Sequence, residues 1–418
     1  MKYLLVIGDG MADDPISELQ DKTPLQYAKT PTFDKLASTG ILGSAMTIPN
    51  GMQAGSDTAM LSIFGYDPRQ FYSGRAPLEA AAVGIALSAG DIAYRLNMVS
   101  FEDGDMTFEE KKILSHSAGA IEGSVSDTLI NELCSSPKFK EAMERAGITV
   151  YPGSSFRHIA VQSHKTTGES SDRTFNPLTP PHDHLGETLG QHLPQGSKNA
   201  EVLAELMRIA HDFLNVHPIN NERRQGGKLP ANGVWFWAEG TALELPSFVE
   251  KYKKTGTVIS AVPLCQGIGI LIGLERVLVK GATGELHTNY EGKVDAAIKS
   301  LQTHDFTTVH IEAPDECTHN GDMKGKLQAI EWVDSRVVAP LVQKLNENNK
   351  DFRMLIMADH RTLLSTRGHD SGPVPYILYD SRNIAKTSDK TYCEADAIST
   401  GHIEVGTNLM SLLFEESR

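Results

Sequence analysis

Arg353-Met354-Leu355-Ile356-Met357-Ala358-Asp359-His360-Arg361-Thr362 decides how this chain is read. Its first half is an apolar run of the length of one buried strand. A carboxylate and an imidazole follow at once, where that strand must end. Open α/β sheets bind ligands at the carboxyl ends of their strands. His369 trails nine residues behind His360, and Val374 to Tyr379 forms the next apolar run.

The pattern recurs twice. Tyr3-Leu4-Leu5-Val6-Ile7 runs into Gly8-Asp9-Gly10, and Thr307-Thr308-Val309-His310-Ile311 is followed by Asp315 and His319. Asp315 and His319 are four apart, so one helical turn faces them the same way. Each of these residues alone is ordinarily a cap, a turn or a solvated loop residue. Three carboxylates and three imidazoles, each just past an apolar strand, exceed what capping needs. Together they predict a site for two divalent ions, with oxygen and nitrogen donors that suit Zn²⁺ or Mn²⁺.

Apolar residues at Met60, Leu61, Ile63 and Phe64 predict a short helix starting near Ser56. A helix N-terminus favours an anion. Metal coordination would lower the pKa of a serine hydroxyl toward the alkoxide. Two ions roughly 4 Å apart would clamp the oxygens of an in-line phosphoryl displacement. Ser56 is thus a candidate phosphoryl acceptor, the plain alternative being an N-cap serine.

The chain of 418 residues is long enough for two domains. Apolar content of 40% and charge of 22% exclude wholesale disorder. A net charge of −14 argues against a nucleic-acid or membrane-surface role. No apolar run approaches the ~18–20 residues of a membrane span. Cys134, Cys265, Cys317 and Cys393 show no paired spacing and are read as reduced thiols of a cytoplasmic protein.

The expected architecture is an α/β core with a mostly parallel sheet between helices, interrupted by an α+β insert. The core takes residues 1–77 and 251–418, the insert 78–250. In the insert, strands are expected at 92–101, 106–108, 148–151, 157–163 and 234–237. A helix is expected over 126–146, and a long loop over 164–196. In the core, helices are expected over 267–274 and 326–346, with a last one starting near Glu404.

The motifs Val6-Ile7-Gly8-Asp9-Gly10-Met11, Ala54-Gly55-Ser56-Asp57-Thr58-Ala59, Gly65-Tyr66-Asp67-Pro68, Gly74-Arg75-Ala76-Pro77-Leu78-Glu79-Ala80, Ala313-Pro314-Asp315-Glu316 with His319, and Ala358-Asp359-His360 with His369 span nearly the whole chain. In these the sequence resembles the archaeal-type cofactor-independent phosphoglycerate mutases of the alkaline phosphatase superfamily. The resemblance implies an alkaline-phosphatase-like core and two divalent metal ions, Mn or Zn. One ion would be held by Asp315, His319 and His369, the other by Asp9, Asp359, His360 and the nucleophile Ser56. It implies transfer through a phosphoserine, a small phosphorylated acid as substrate, and an insert that closes over it and supplies arginines. Arg95 and Arg157, with His116 and His158 beside them, are the candidates; the pair Arg223-Arg224 and His184 are further ones. The family's lysine just after the insert has no counterpart in Cys265-Gln266, and Lys280 is the nearest lysine considered. That departure keeps a homoserine-phosphorylating relative as the alternative. A phosphatase or sulfatase, or a non-catalytic metal protein, are the more distant readings.

Overall fold

The computed structural model describes residues 1–153, 155–164, 177–348, 350–382 and 387–415. In chain order the strands are β1 (Lys2–Gly8), β2 (Ile41–Met46), β3 (Ile92–Phe101), β4 (Ile113–Ser115), β5 (Ile148–Tyr151), β6 (Arg157–Gln162), β7 (Gly233–Thr241), β8 (Gly256–Ile259), β9 (Glu275–Arg276), β10 (Phe306–Ile311), β11 (Phe352–Met357), β12 (Arg361–Leu363), β13 (Gly368–Asp370), β14 (Val374–Asp380) and β15 (Ile403–Val405). They fall into two compact units. The first comprises Met1–Tyr72 and Leu245–Arg418, the second Ser73–Glu244. The junctions lie five or six residues before the expected positions.

The first unit is built on an eight-stranded sheet in the order β15-β2-β14-β11-β1-β10-β8-β9. β1 pairs in parallel with both β10 and β11. Only β14 runs against its neighbours. Leu4, Leu5, Val6 and Ile7 are fully buried, as a strand covered on both faces requires. Each such side chain contributes about 1.5–3 kcal/mol by leaving water. That burial fixes β1 between β10 and β11, so the residues after all three strands emerge on one edge.

The second unit is an antiparallel sheet, β4-β3-β6-β5 with β7 on the other side of β3. All ten residues of β3 are buried. Helix Lys198–Asn215 covers the sheet through Leu203, Leu206, Met207, Ala210 and Leu214.

Several local expectations are corrected. No strand forms at 106–108. Thr107 and Glu110 make a capping box that starts a 3-10 turn at Phe108–Glu110, and the next strand in the chain is β4, which pairs with Ser100 and Phe101 of β3. The expected helix over 126–146 is two, Gly123–Ser135 and Pro137–Ala146. Ser136 is extended at ψ 137° because Pro137 disfavours a helical residue before it. Ser126 lies inside the first of these. The helix expected at 267–274 spans Pro263–Leu271. Between Met323 and Glu347 the helix widens into a π-turn at Val333–Val338, just before Pro340, which cannot donate to the preceding turn. Ile403–Val405 is an edge strand, not the start of the last helix, which is Leu409–Phe414. Part of the long loop expected over 164–196, residues 165–176, lies outside the described residues; its later part contains two 3-10 turns. Among the described residues no helix is long and apolar enough to cross a membrane.

Candidate metal centre and nucleophile

Asp9 follows β1, helix Ala313–His319 follows β10, and Asp359-His360 follows β11. His369 sits on the hairpin β12–β13, where it pairs with Thr362. Ser56 opens helix Ser56–Ile63. All seven residues expected at the site belong to the first unit, and the fold gathers them in two adjoining groups.

In the first group, Ser56 Oγ lies 3.1 Å from His360 Nε2 and 3.4 Å from Asp9 Oδ2. His360 Nε2 is 3.4 Å from Asp9 Oδ1 and 3.5 Å from Asp359 Oδ2. Asp359 Oδ1 accepts the backbone N–H groups of Gly10 (3.2 Å) and His360 (2.9 Å). Its Oδ2, like Asp9 Oδ1, is buried and has no hydrogen-bond partner. Each carboxylate is therefore anchored through one oxygen, while the other is buried without a hydrogen-bond partner. Buried polar atoms left in that state are costly. Burial, then the neighbouring charges of Asp359 and Glu312, push the Asp9 carboxyl well above its ordinary range. A bound cation would reverse that shift.

In the second group, His319 Nε2 is 3.0 Å from Asp315 Oδ2 and 3.0 Å from His369 Nε2, and His369 Nε2 is 3.5 Å from Asp315 Oδ1. Burial opposes ionisation of Asp315, but the hydrogen bonds from His319 and His369 outweigh it and hold the carboxyl well below its usual range. The His319 imidazole is raised to about 9, first by its hydrogen bond to Asp315.

Neighbouring groups set the tautomers. His319 Nδ1 donates to the Arg367 carbonyl at 2.8 Å. Thr362 Oγ1 donates to Asp315 Oδ1 at 2.6 Å, so it accepts from His360 Nδ1 at 3.2 Å. Both rings thereby turn Nε2 inward, the arrangement that supports metal-ligating imidazoles. Gly10 is at φ 62°, and a Cβ there would stand 2.7 Å from Asp315 Oδ1. The glycine after Asp9 is thus required by both backbone and space.

Sequence reasoning missed His310, Glu312 and Lys293. His310 lies on β10, fully buried, with Nε2 3.0 Å from Asp9 Oδ2 and Nδ1 3.1 Å from Ser260 Oγ. Burial lowers its pKa to about 4, so it is neutral, donates from Nε2 to Asp9 and accepts the Ser260 hydroxyl. Glu312 stands 3.8 Å from the same nitrogen. Lys293 is buried and donates to the His310 carbonyl at 2.9 Å. The available signal was a histidine in the middle of an apolar strand. Gln266 donates to the Ser260 carbonyl at 2.7 Å, Cys265 Sγ is 3.7 Å from His310 Nε2, and Lys280 is exposed.

The expected substrate residues lie in the second unit. Glu79 pairs with Arg75 and with the buried Arg95, each at 3.0 Å. The Arg95 guanidinium also lies 4.4 Å over the Trp237 ring. Arg157 is exposed beside Phe156, and the His116 ring packs on Phe156. His158 is buried; its Nδ1 accepts the Gly153 N–H at 3.1 Å and its Nε2 pairs with Ser126 at 3.0 Å. Arg223 is bound to the carbonyls of Leu229 and Ala118, and Arg224 is bidentate to Asp103.

The first unit is thus a mostly parallel α/β core that gathers carboxylates, imidazoles and a helix-opening serine at one edge. The profile of the 2,3-bisphosphoglycerate-independent phosphoglycerate mutases matches residues 37–220. A Methanosarcina acetivorans mutase of that name is 42% identical over 401 residues, 96% of each chain. Another, from Methanothrix thermoacetophila, is 40% identical over 99% of each chain. A solved Pyrococcus horikoshii structure superposes with TM-score 0.79 at 30% identity, covering 100% of this chain and 98% of its own. The cofactor-independent phosphoglycerate mutase of Thermoplasma acidophilum gives TM-score 0.65 at 25% identity over 99% of each chain. The chain belongs to the archaeal-type 2,3-bisphosphoglycerate-independent phosphoglycerate mutases. The homoserine alternative finds no support in these relatives.

Proposed function

We propose that this enzyme interconverts 2-phosphoglycerate and 3-phosphoglycerate through a phosphoserine at Ser56, beside two divalent cations. The observation that carries the reading is the Ser56 hydroxyl at a helix start, within 3.4 Å of both Asp9 and His360. Asp9, Asp359, His360 and Ser56 would hold one ion, and Asp315, His319 and His369 the other. The unpartnered inward oxygens of Asp9 and Asp359 fit such ions. Bound there, Mn²⁺ or Zn²⁺ would lower the serine pKa and offset phosphoryl charge.

The rest falls to the chain's own residues. Ser56 Oγ forms a bond to phosphorus as the bond from phosphorus to the glycerate oxygen breaks, and the proton that Ser56 gives up ends on that departing oxygen as the glycerate hydroxyl. The glycerate then turns, and its other hydroxyl takes the phosphoryl group back. The start of helix Ser56–Ile63 faces the transferring anion with backbone N–H groups. His310 holds Asp9 in position. Arg95 and Arg157 are the candidates for the substrate's anionic groups. A cytoplasmic location fits the four free thiols.

The test is conversion of 3-phosphoglycerate by Mn²⁺-loaded protein with no bisphosphoglycerate added, read through a coupled enolase assay. Absence of 2-phosphoglycerate under these conditions would overturn the reading. Arg157→Ala is expected to raise KM by roughly 10–100-fold with kcat little changed, the loss of one charged hydrogen-bonding group. An unchanged KM would return Arg157 to the role of a surface charge.

Metal uptake should depend on pH. Below about 9, His319 carries a proton that an ion must displace. Affinity should therefore rise with pH, by up to roughly tenfold per unit, and level off above that value. Competitive metal titrations between pH 6.5 and 9.5 check this, and a flat profile would contradict the role of His319.

A further inference from the structure

Residues 181–192 of the second unit form two 3-10 turns, Pro181–His184 and Leu189–Gln191. The link between them is tied to β4 and the residues before it by backbone. Gly186 N–H donates to the Ile113 carbonyl at 2.8 Å, Ile113 N–H to Glu187 at 3.1 Å, and Leu189 N–H to Lys111 at 2.8 Å. Leu189 is fully buried beneath them. The segment is therefore a fixed frame, and three side chains converge from it.

Glu187 Oε2 lies 3.2 Å from His184 Nδ1 and 2.6 Å from His192 Nε2. The two imidazoles are stacked, with centroids 4.0 Å apart and planes 23° off parallel. Here both nitrogens aim at one oxygen. The three side chains can bring one ligand atom each within 4.8 Å of the others. Nothing in the phosphoryl transfer uses them.

We propose that His184, Glu187 and His192 bind a third divalent cation of the Zn²⁺ class, separate from the catalytic pair. Two imidazoles and one carboxylate are a common zinc donor set and leave a fourth position for water. With bonds near 2.1 Å, the edge of such a tetrahedron is about 3.4 Å. The His184 contact is close to that already, and the His192 contact opens by less than about 1 Å. Hydrogen bonds from His192 and His184 hold the Glu187 carboxyl below its ordinary range, so it is anionic at neutral pH. The ion ties together the two 3-10 turns that flank Glu187. In the same segment His182 packs on Trp237, the ring that carries Arg95.

The full-length protein is stripped with chelator, dialysed against Zn²⁺ and its bound zinc counted. The same is done for His184→Ala/His192→Ala and for Glu187→Gln, with circular dichroism to confirm folding. The double variant is expected to hold one zinc fewer than the parent, and Glu187→Gln to bind that zinc at least tenfold more weakly. Equal zinc content in the parent and a folded double variant would overturn the proposal. Should the double variant not fold, undiminished zinc affinity in Glu187→Gln overturns it instead. The readout is a difference between parent and variant, so it stands apart from how many ions the catalytic residues hold.

Discussion

Ser56→Ala lowers phosphoglycerate turnover by on the order of 10⁴-fold or more while the protein still takes up both divalent ions. The serine contributes the only hydroxyl oxygen in its group; the remaining donors, Asp9, Asp359 and His360, keep their anchoring partners without it. Loss of the nucleophile removes the covalent route through Ser56. Metal analysis alongside steady-state assays reads both quantities from one preparation. Retained turnover would remove Ser56 from the role of phosphoryl acceptor. Loss of metal together with activity would instead make it chiefly a ligand.

His360→Ala should lose metal and activity together. His360 stands between the two groups. Its Nε2 faces Ser56, Asp9 and Asp359, and its ring centroid is 4.2 Å from that of His369. The Thr362 hydroxyl turns that nitrogen inward. Removing the ring takes away a neutral donor and leaves three buried carboxylates in one another's field. Affinity should fall by at least roughly 10²-fold, the scale reached by perturbing even supporting residues of a metal site. Turnover at fixed metal should fall at least as far. Full occupancy with undiminished turnover would contradict the assignment. Thr362→Val is a milder companion: it keeps the ring but frees its tautomer.

Much of this centre was legible because strand, strand end and donor are contiguous in sequence. In β1 and β11 the apolar run needs no partner to be recognised, and Asp9, Asp359 and His360 follow it directly. Asp315 and His319 were legible through helical spacing, and Ser56 through the apolar pattern of the helix it opens. His310 was not, because its role comes from two partners distant in sequence, Asp9 and Ser260, which only the sheet brings to it. The insert was read less well for the same reason. Whether His158 binds substrate or fills its own unit depends on Ser126 and Gly153, and spacing says nothing of either. Local errors had local causes. Pro137 divides a helix that apolar periodicity alone runs through, and the capping box of Thr107 competes with the strand suggested by Met106 and Phe108. At Ile403–Val405 the exposed edge of the sheet gives no buried face for a pattern to reveal.

The most direct test of the central claim is to catch the covalent state. Metal-loaded protein turning over 3-phosphoglycerate is quenched in acid, digested and mapped by mass spectrometry. Phosphate on the peptide that contains Ser56, absent without substrate and absent from the Ser56→Ala protein, is the predicted result. Steady turnover with no phosphoserine at that position, or with phosphate on another residue, would contradict it.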